Sequence, residues 1–225
     1  MCQSCRVSLR ATLFDMDGLL IDSEILWHKA ELEIFPSLGV QFDDGAGRQT
    51  KGMYVEEVVA FWFAKYPWSG PSTSDVTQML LNRVGELVEN EGVLLPGAIR
   101  AIELASEYGP VAIASSTPTA LIHRCLDNFS LRDKFVSINS AQDEEYGKPH
   151  PGVFISGAKS LGVSPKECLV FEDSAAGVLA AKAGSMSVIA VPTKEDRELP
   201  AFKLADVVLS SLEELSPDWL SAKFA

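Results

Sequence analysis

Short runs dominated by apolar residues recur along the chain at 11–14, 110–114, 135–139, 168–171, 187–191 and 206–209. Runs of this length without a regular polar alternation are the pattern of strands buried on both faces of a parallel sheet. Longer stretches carry the helical period. In 24–38, Leu26, Ala30, Ile34, Phe35 and Leu38 share one face, and Gly39 follows as a stop. A polar, glycine-rich stretch covers 41–52, and 55–66 reads as an aromatic-rich helix. Residues 67–72 read as a turn and 74–90 as a further helix. No strand signal falls between Glu24 and Val93, so the first strand is separated from the others by a block of helices.

From Leu95-Pro96-Gly97 onward strands alternate with helices, which is the signature of βαβ units. The helices are expected at 99–108, from Pro118 through Leu126, at 150–161 and at 174–183. Thr117 reads as the N-cap and Pro118 as the first helical residue of the second, while Pro151 opens the third and Gly162 closes it. The fold class predicted is α/β: a doubly wound, mainly parallel, Rossmann-like sheet with an inserted α-helical cap. Residues 1–22 and 94–225 are expected to form the core, and residues 23–93 the cap. The cap's aromatic residues Phe61, Trp62, Phe63, Tyr66 and Trp68 read as packing rather than as a ligand box.

Composition sharpens this picture in two places. With 225 residues, 47% of them hydrophobic, the chain can fill a sizeable core. A formal charge of −12 argues against nucleic acid or an anionic membrane as partner, because like charges repel over about a Debye length of 8–10 Å. An anionic substrate would need a metal ion and placed lysines to overcome that field. Of the four cysteines, Cys2, Cys5, Cys125 and Cys168, only the first two are close in sequence, and no second pair completes a zinc pattern. Cys2 and Cys5 are expected in a disordered tail without redox function. With no signal-peptide core and no run of about 20 apolar residues, a soluble, cytoplasmic, reduced protein is expected. A monomer is the default.

The candidate chemistry lies at strand ends. Asp15 and Asp17 follow the first strand, Ser115 and Ser116 the second, and Glu172 and Asp173 the strand at 168–171; Lys148 lies in the loop after the strand at 135–139. In open α/β sheets ligands bind beyond the carboxyl ends of strands, where all of these stand. Taken singly, each has a plain structural reading as a turn, a cap or a surface charge. Two acids, hydroxyls, a lysine and two more acids on successive connections make a site. His150 at a proline-flanked helix start reads as structural, and His28 and His123 carry no signal.

Asp15-Met16-Asp17-Gly18, Ser115, Lys148 within Gly147-Lys148-Pro149-His150-Pro151, and Glu172-Asp173-Ser174 together resemble the four motifs of the haloacid dehalogenase superfamily. A helical insertion after the first motif resembles its phosphatase and phosphoglucomutase-like branch. Within that branch the stretches 15–24, 67–72 and 204–215 look most like bacterial 2-deoxyglucose-6-phosphate (hexitol phosphate) phosphatases. The resemblance implies Asp15 as nucleophile and Asp17 as general acid and then base. It implies Mg²⁺ held by Asp15, the Asp17 backbone carbonyl and Asp173, with Glu172 as a supporting member of that acidic set. Ser115, with the Ser116 amide, and Lys148 would hold the phosphoryl group. Asp22 and Ser23 would form the hinge into the cap, and Trp27, Lys51, Met53 and Tyr54 would face a small phosphate-ester substrate, a sugar or polyol phosphate.

Two alternatives stay open at this stage. A phosphosugar mutase of the β-phosphoglucomutase type shares the nucleophile and cap, but its cap histidine stands where this chain has Trp27 and its cap arginine near Val55. A non-enzymatic phosphoacceptor also uses a strand-end aspartate, yet needs no lid. A dinucleotide-binding enzyme would want G-x-G-x-x-G after a strand, and none is present.

Overall fold

The computed structural model describes residues 8–43, 45–50 and 53–224. Cys2, Cys5 and Lys51, and the expectation of a disordered tail, lie outside the described residues.

Six strands form one parallel sheet: β1 (Ala11–Phe14), β2 (Val111–Ser115), β3 (Ser137–Ser140), β4 (Cys168–Glu172), β5 (Ser187–Ala190) and β6 (Val207–Val208), in the order β3-β2-β1-β4-β5-β6. β1, β2 and β4 are buried throughout, as their unbroken apolar runs require. In the centre, Leu13 stands in register with Ala112 on one side and Val170 on the other. Alternate residues of a strand enter different cores. Phe14, Ile113, Leu169 and Phe171 point to one face of the sheet, and Leu13, Ala112, Val170 and Val188 to the other. Phe14 and Phe171 stack across the first face with ring centroids 4.7 Å apart.

Helices cover both faces. α4 (Ala98–Ser106) and α5 (Thr119–Asn128) bury Ile102 and Ile122 in the first core, while α6 (Gly152–Ser160) and α7 (Ala175–Ala183) bury Phe154 and Val178 in the second. The sheet is therefore doubly wound. Its order reverses between β1 and β4, which places the ligand-binding crevice outside their carboxyl ends.

Between β1 and α4 the regular elements are helical: α1 (Glu24–Ser37), a 3₁₀ turn (Ala46–Gln49), α2 (Val55–Lys65) and α3 (Thr73–Glu91). Trp62 and Trp68 are buried and packed with Phe35, Phe42, Phe61, Phe63 and Tyr66, so the aromatic residues serve packing, as expected, and extend the core on the first face of the sheet. α3 begins at a capping box in which Ser72 and Asp75 satisfy each other's backbone N–H groups.

The sequence misplaces several boundaries. Pro118, not Thr117, is the N-cap of α5, and the Thr117 hydroxyl is used elsewhere. β3 begins at Ser137 because Arg132–Lys134 forms a 3₁₀ turn that leaves Phe135 before the strand. Pro151 precedes α6 as its N-cap instead of opening the helix. A last helix, α8 (Pro217–Phe224), buries Leu220 and packs Trp219 and Phe224 partly against the first core; it was not expected, since eight residues are too short a window to show a helical period. Among the described residues no helix is long and apolar enough to cross a membrane.

Candidate active site

The site grows from the way β1 ends. Asp15 N–H still donates to the Phe171 carbonyl at 3.0 Å, so Asp15 is held by the ladder to β4. The chain then turns: the N–H groups of Leu20 and Ile21 both donate to the Met16 carbonyl, and Gly18 takes a left-handed φ of +71°. A methyl group on Gly18 would lie 2.5 Å from Asp173 Oδ2. Glycine thus serves both the turn and the close approach of the carboxylate at the end of β4.

Asp15, Glu172 and Asp173 are all buried, with ligand oxygens within 4.8 Å of one another. Lys148 enters the same space with 3% of its side chain exposed; its Nζ lies 2.6 Å from Glu172 Oε1, 3.2 Å from Asp15 Oδ1 and 4.8 Å from the Phe154 ring centroid. Burial alone would depress the Lys148 ammonium, but Asp15 and Glu172 outweigh it and hold the group above its ordinary value. Burial raises the Glu172 and Asp173 carboxyls. One ammonium against three carboxylates leaves this cluster short of positive charge.

The carboxylates differ in what they have left to offer. Glu172 Oε2 accepts from Ser174 N–H at 2.7 Å and Ser174 Oγ at 2.9 Å, so Glu172 is engaged at both oxygens. Gly177 makes this fit possible, since a Cβ there would overlap Glu172 at 1.7 Å. Asp15 Oδ1 is buried without a hydrogen bond, its contact with Lys148 being a charge approach without bonding geometry. A buried oxygen with free lone pairs, beside Asp173 at Gly18, fits a cation. The cluster can hold a metal ion.

Asp17 has three donors of its own. Ser23 Oγ donates to Oδ1 at 2.6 Å, Trp27 Nε1 donates to Oδ1 at 3.3 Å, and Thr117 Oγ1 donates to Oδ2 at 2.6 Å. Burial raises the Asp17 carboxyl and nearby Asp15 adds to the effect, both against the lowering influence of those three bonds. Thr117 was missed because a threonine before Pro118 reads as a cap. Ser140 Oγ braces it by donating to the Thr117 carbonyl at 2.7 Å.

The other expected residues divide. Ser115 is buried at the end of β2, where its Oγ accepts from Thr117 N–H at 3.2 Å and keeps its own proton to donate. Ser116 is half-buried beside it. Tyr54, the residue before α2, donates its hydroxyl to the Ala141 carbonyl at 3.3 Å, and its ring covers Gly147, next to Lys148. Met53 is exposed at 43%. His150 Nδ1 accepts from Gly152 N–H at 3.2 Å, the structural role its sequence position suggests.

Residues 9–184 match the family of haloacid dehalogenase-like hydrolases. The chain belongs to this family. As a haloacid dehalogenase-like hydrolase it is an enzyme. It is 45% identical over 208 residues to hexitol phosphatase B of Escherichia coli K12, an alignment covering 92% of this chain and 94% of that protein. Among solved structures it resembles CbbY of Rhodobacter sphaeroides in complex with phosphate, with TM-score 0.82 and 28% identity over 92% of this chain and 96% of that one. β-Phosphoglucomutase of Clostridium difficile shares the fold, with TM-score 0.81, 24% identity and coverage of 96% and 97%.

Proposed function

We propose that this hydrolase is a Mg²⁺-dependent phosphatase of small sugar or polyol phosphates, of the hexitol phosphate or 2-deoxyglucose 6-phosphate type, acting as a monomer in the cytoplasm. The observation that carries the reading is the contrast between its two strand-end aspartates. Asp15 turns a buried oxygen that no well-formed hydrogen bond satisfies toward the Lys148 ammonium at 3.2 Å, whereas the Asp17 carboxyl is held by three donors with its pKa raised by burial. One is suited to attack, the other to deliver a proton.

Asp15 would attack phosphorus in line, forming an aspartyl-phosphate as the bond to the leaving alcohol breaks. Asp17 would protonate that alcohol and then take a proton from the water that opens the intermediate. Ser115 Oγ–H and the Ser116 amide would donate to phosphoryl oxygens, and Lys148 would neutralise another. Asp15, Asp173 and the Asp17 backbone carbonyl would hold Mg²⁺, which supplies the positive charge that lets one anion approach another. Glu172 is spent on Lys148 and Ser174, which supports a bracing role over ligation.

Residues 23–93 would form the cap that closes over the substrate, with Asp22 and Ser23 at the hinge and with Trp27, Met53 and Tyr54 facing the pocket. Tyr54 on Ala141 and Gly147 supports such a closed arrangement. A closing cap limits the size of the leaving group, and the likeness to hexitol phosphatase B supports a polyol or sugar phosphate. Every group named comes from one chain, so a monomer suffices. The buried free thiols Cys125 and Cys168 are consistent with a reducing compartment.

The test is phosphate release from a panel of sugar, polyol and nucleotide monophosphates, with Mg²⁺ and with EDTA. Metal-dependent release concentrated on hexose or hexitol phosphates is expected. Interconversion of a sugar 1-phosphate and 6-phosphate without release would overturn hydrolysis in favour of a mutase.

A further inference from the structure

The three donors on Asp17 come from three parts of the chain: Ser23 at the hinge, Trp27 on α1 and Thr117 after β2. They are not equivalent. A serine or threonine hydroxyl can donate or accept, so it can reverse when its partner gains a proton; an indole N–H can only donate. Ser23 Oγ has a second acceptor in the Ile21 carbonyl at 3.5 Å. A proton placed on Asp17 Oδ1 would therefore meet the Trp27 N–H donor to donor. On Oδ2 it would meet Thr117 Oγ1, which can turn and accept.

We infer that Trp27 is a positioning residue that holds Asp17 Oδ1 as a permanent acceptor and so leaves Oδ2 as the oxygen that carries the transferable proton. This rests on the phosphatase reading and goes beyond it by giving a residue expected only to line the pocket a part in leaving-group chemistry. In the first half-reaction the Oδ2–H bond breaks as the alcohol oxygen takes the proton, together with the electron pair of its broken P–O bond. In the second, water gives its proton to Oδ2 while its oxygen bonds to phosphorus and the electron pair of the Asp15–phosphorus link returns to Asp15. Because Trp27 stands on α1, the first helix of the proposed cap, the carboxylate is aimed only while that helix is in place.

The experiment compares Trp27→Phe with the wild type on two esters under saturating Mg²⁺: a hexitol phosphate, whose alcohol must be protonated as it leaves, and p-nitrophenyl phosphate, whose phenolate leaves without a proton. Since kcat/KM covers the half-reaction up to the aspartyl-phosphate, it should fall about tenfold or more for the hexitol ester and less than about threefold for the aryl ester. The melting temperature should be retained. Equal losses on both esters, or none on either, would overturn the positioning role while leaving a wild type active on both as a phosphatase. A wild type that releases phosphate from neither sinks the phosphatase reading and this inference with it. If Trp27→Phe does not fold, 3-benzothienylalanine at position 27 exchanges only the N–H for sulfur and gives the same comparison.

Discussion

Lys148 and Glu172 pair at 2.6 Å with 3% and 0% of their side chains exposed, so the cation that faces Asp15 is itself held by an anion beneath it. Breaking a buried pair leaves an uncompensated charge, which costs about 3–5 kcal/mol. Lys148→Met is expected to lose phosphate release and to lower the unfolding free energy by about that amount. Lys148→Met combined with Glu172→Gln should recover part of the stability and none of the activity. Urea titrations of the two variants beside the wild type check this.

Asp15→Asn removes one charge from three crowded carboxylates without changing the shape of the side chain. Turnover is expected to vanish while the metal-free protein keeps its stability to within about 1 kcal/mol, because relief of repulsion from Glu172 and Asp173 is offset by the lost attraction to Lys148. Thermal unfolding in EDTA, run with the phosphate-release assay, decides it. Residual turnover would exclude Asp15 as nucleophile.

Glu31, on α1 beside His28 at 4.0 Å, is pushed up by burial from 4.5 to about 7. The fold disfavours its ionised form. Its contribution to stability is therefore complete below pH 4.5, declines as the pH rises toward about 7, and is gone above that. The linkage amounts to about 3 kcal/mol. Glu31→Gln should flatten the pH dependence of the urea midpoint between those limits and raise stability at pH 8; an unchanged slope would place the titration elsewhere.

Much of this was legible in the sequence, for identifiable reasons. β1, β2 and β4 are buried on both faces, and their apolar runs leave no competing helical reading. β3, Ser-Ile-Asn-Ser, has one buried residue and no such run, so its start was placed too early. Asp15, Lys148, Glu172 and Asp173 could be grouped because each stands at or after a strand end. Thr117 could not, since local chemistry beside Pro118 suggests a cap and only the tertiary fold carries its hydroxyl to Asp17. The Trp27 bond was hidden for a related reason: a turn at Gly18, invisible in hydrophobic spacing, folds α1 back onto the acid. That Glu172 supports Lys148 also required the fold, as two acids in sequence look alike until their neighbours are known.

The helices inserted after β1 also govern when the protein becomes competent. Ala11 must wait for Cys168, and Phe14 for Phe171, before the central strand has partners on both sides. β2 through β5 follow one another with shorter connections, and closing long loops delays contacts between distant segments. During synthesis the strand bearing Asp15 leaves the ribosome long before β4, its second neighbour, has been made. A chain that ends before β4 lacks Glu172 and Asp173 and so cannot assemble the acidic cluster around Asp15.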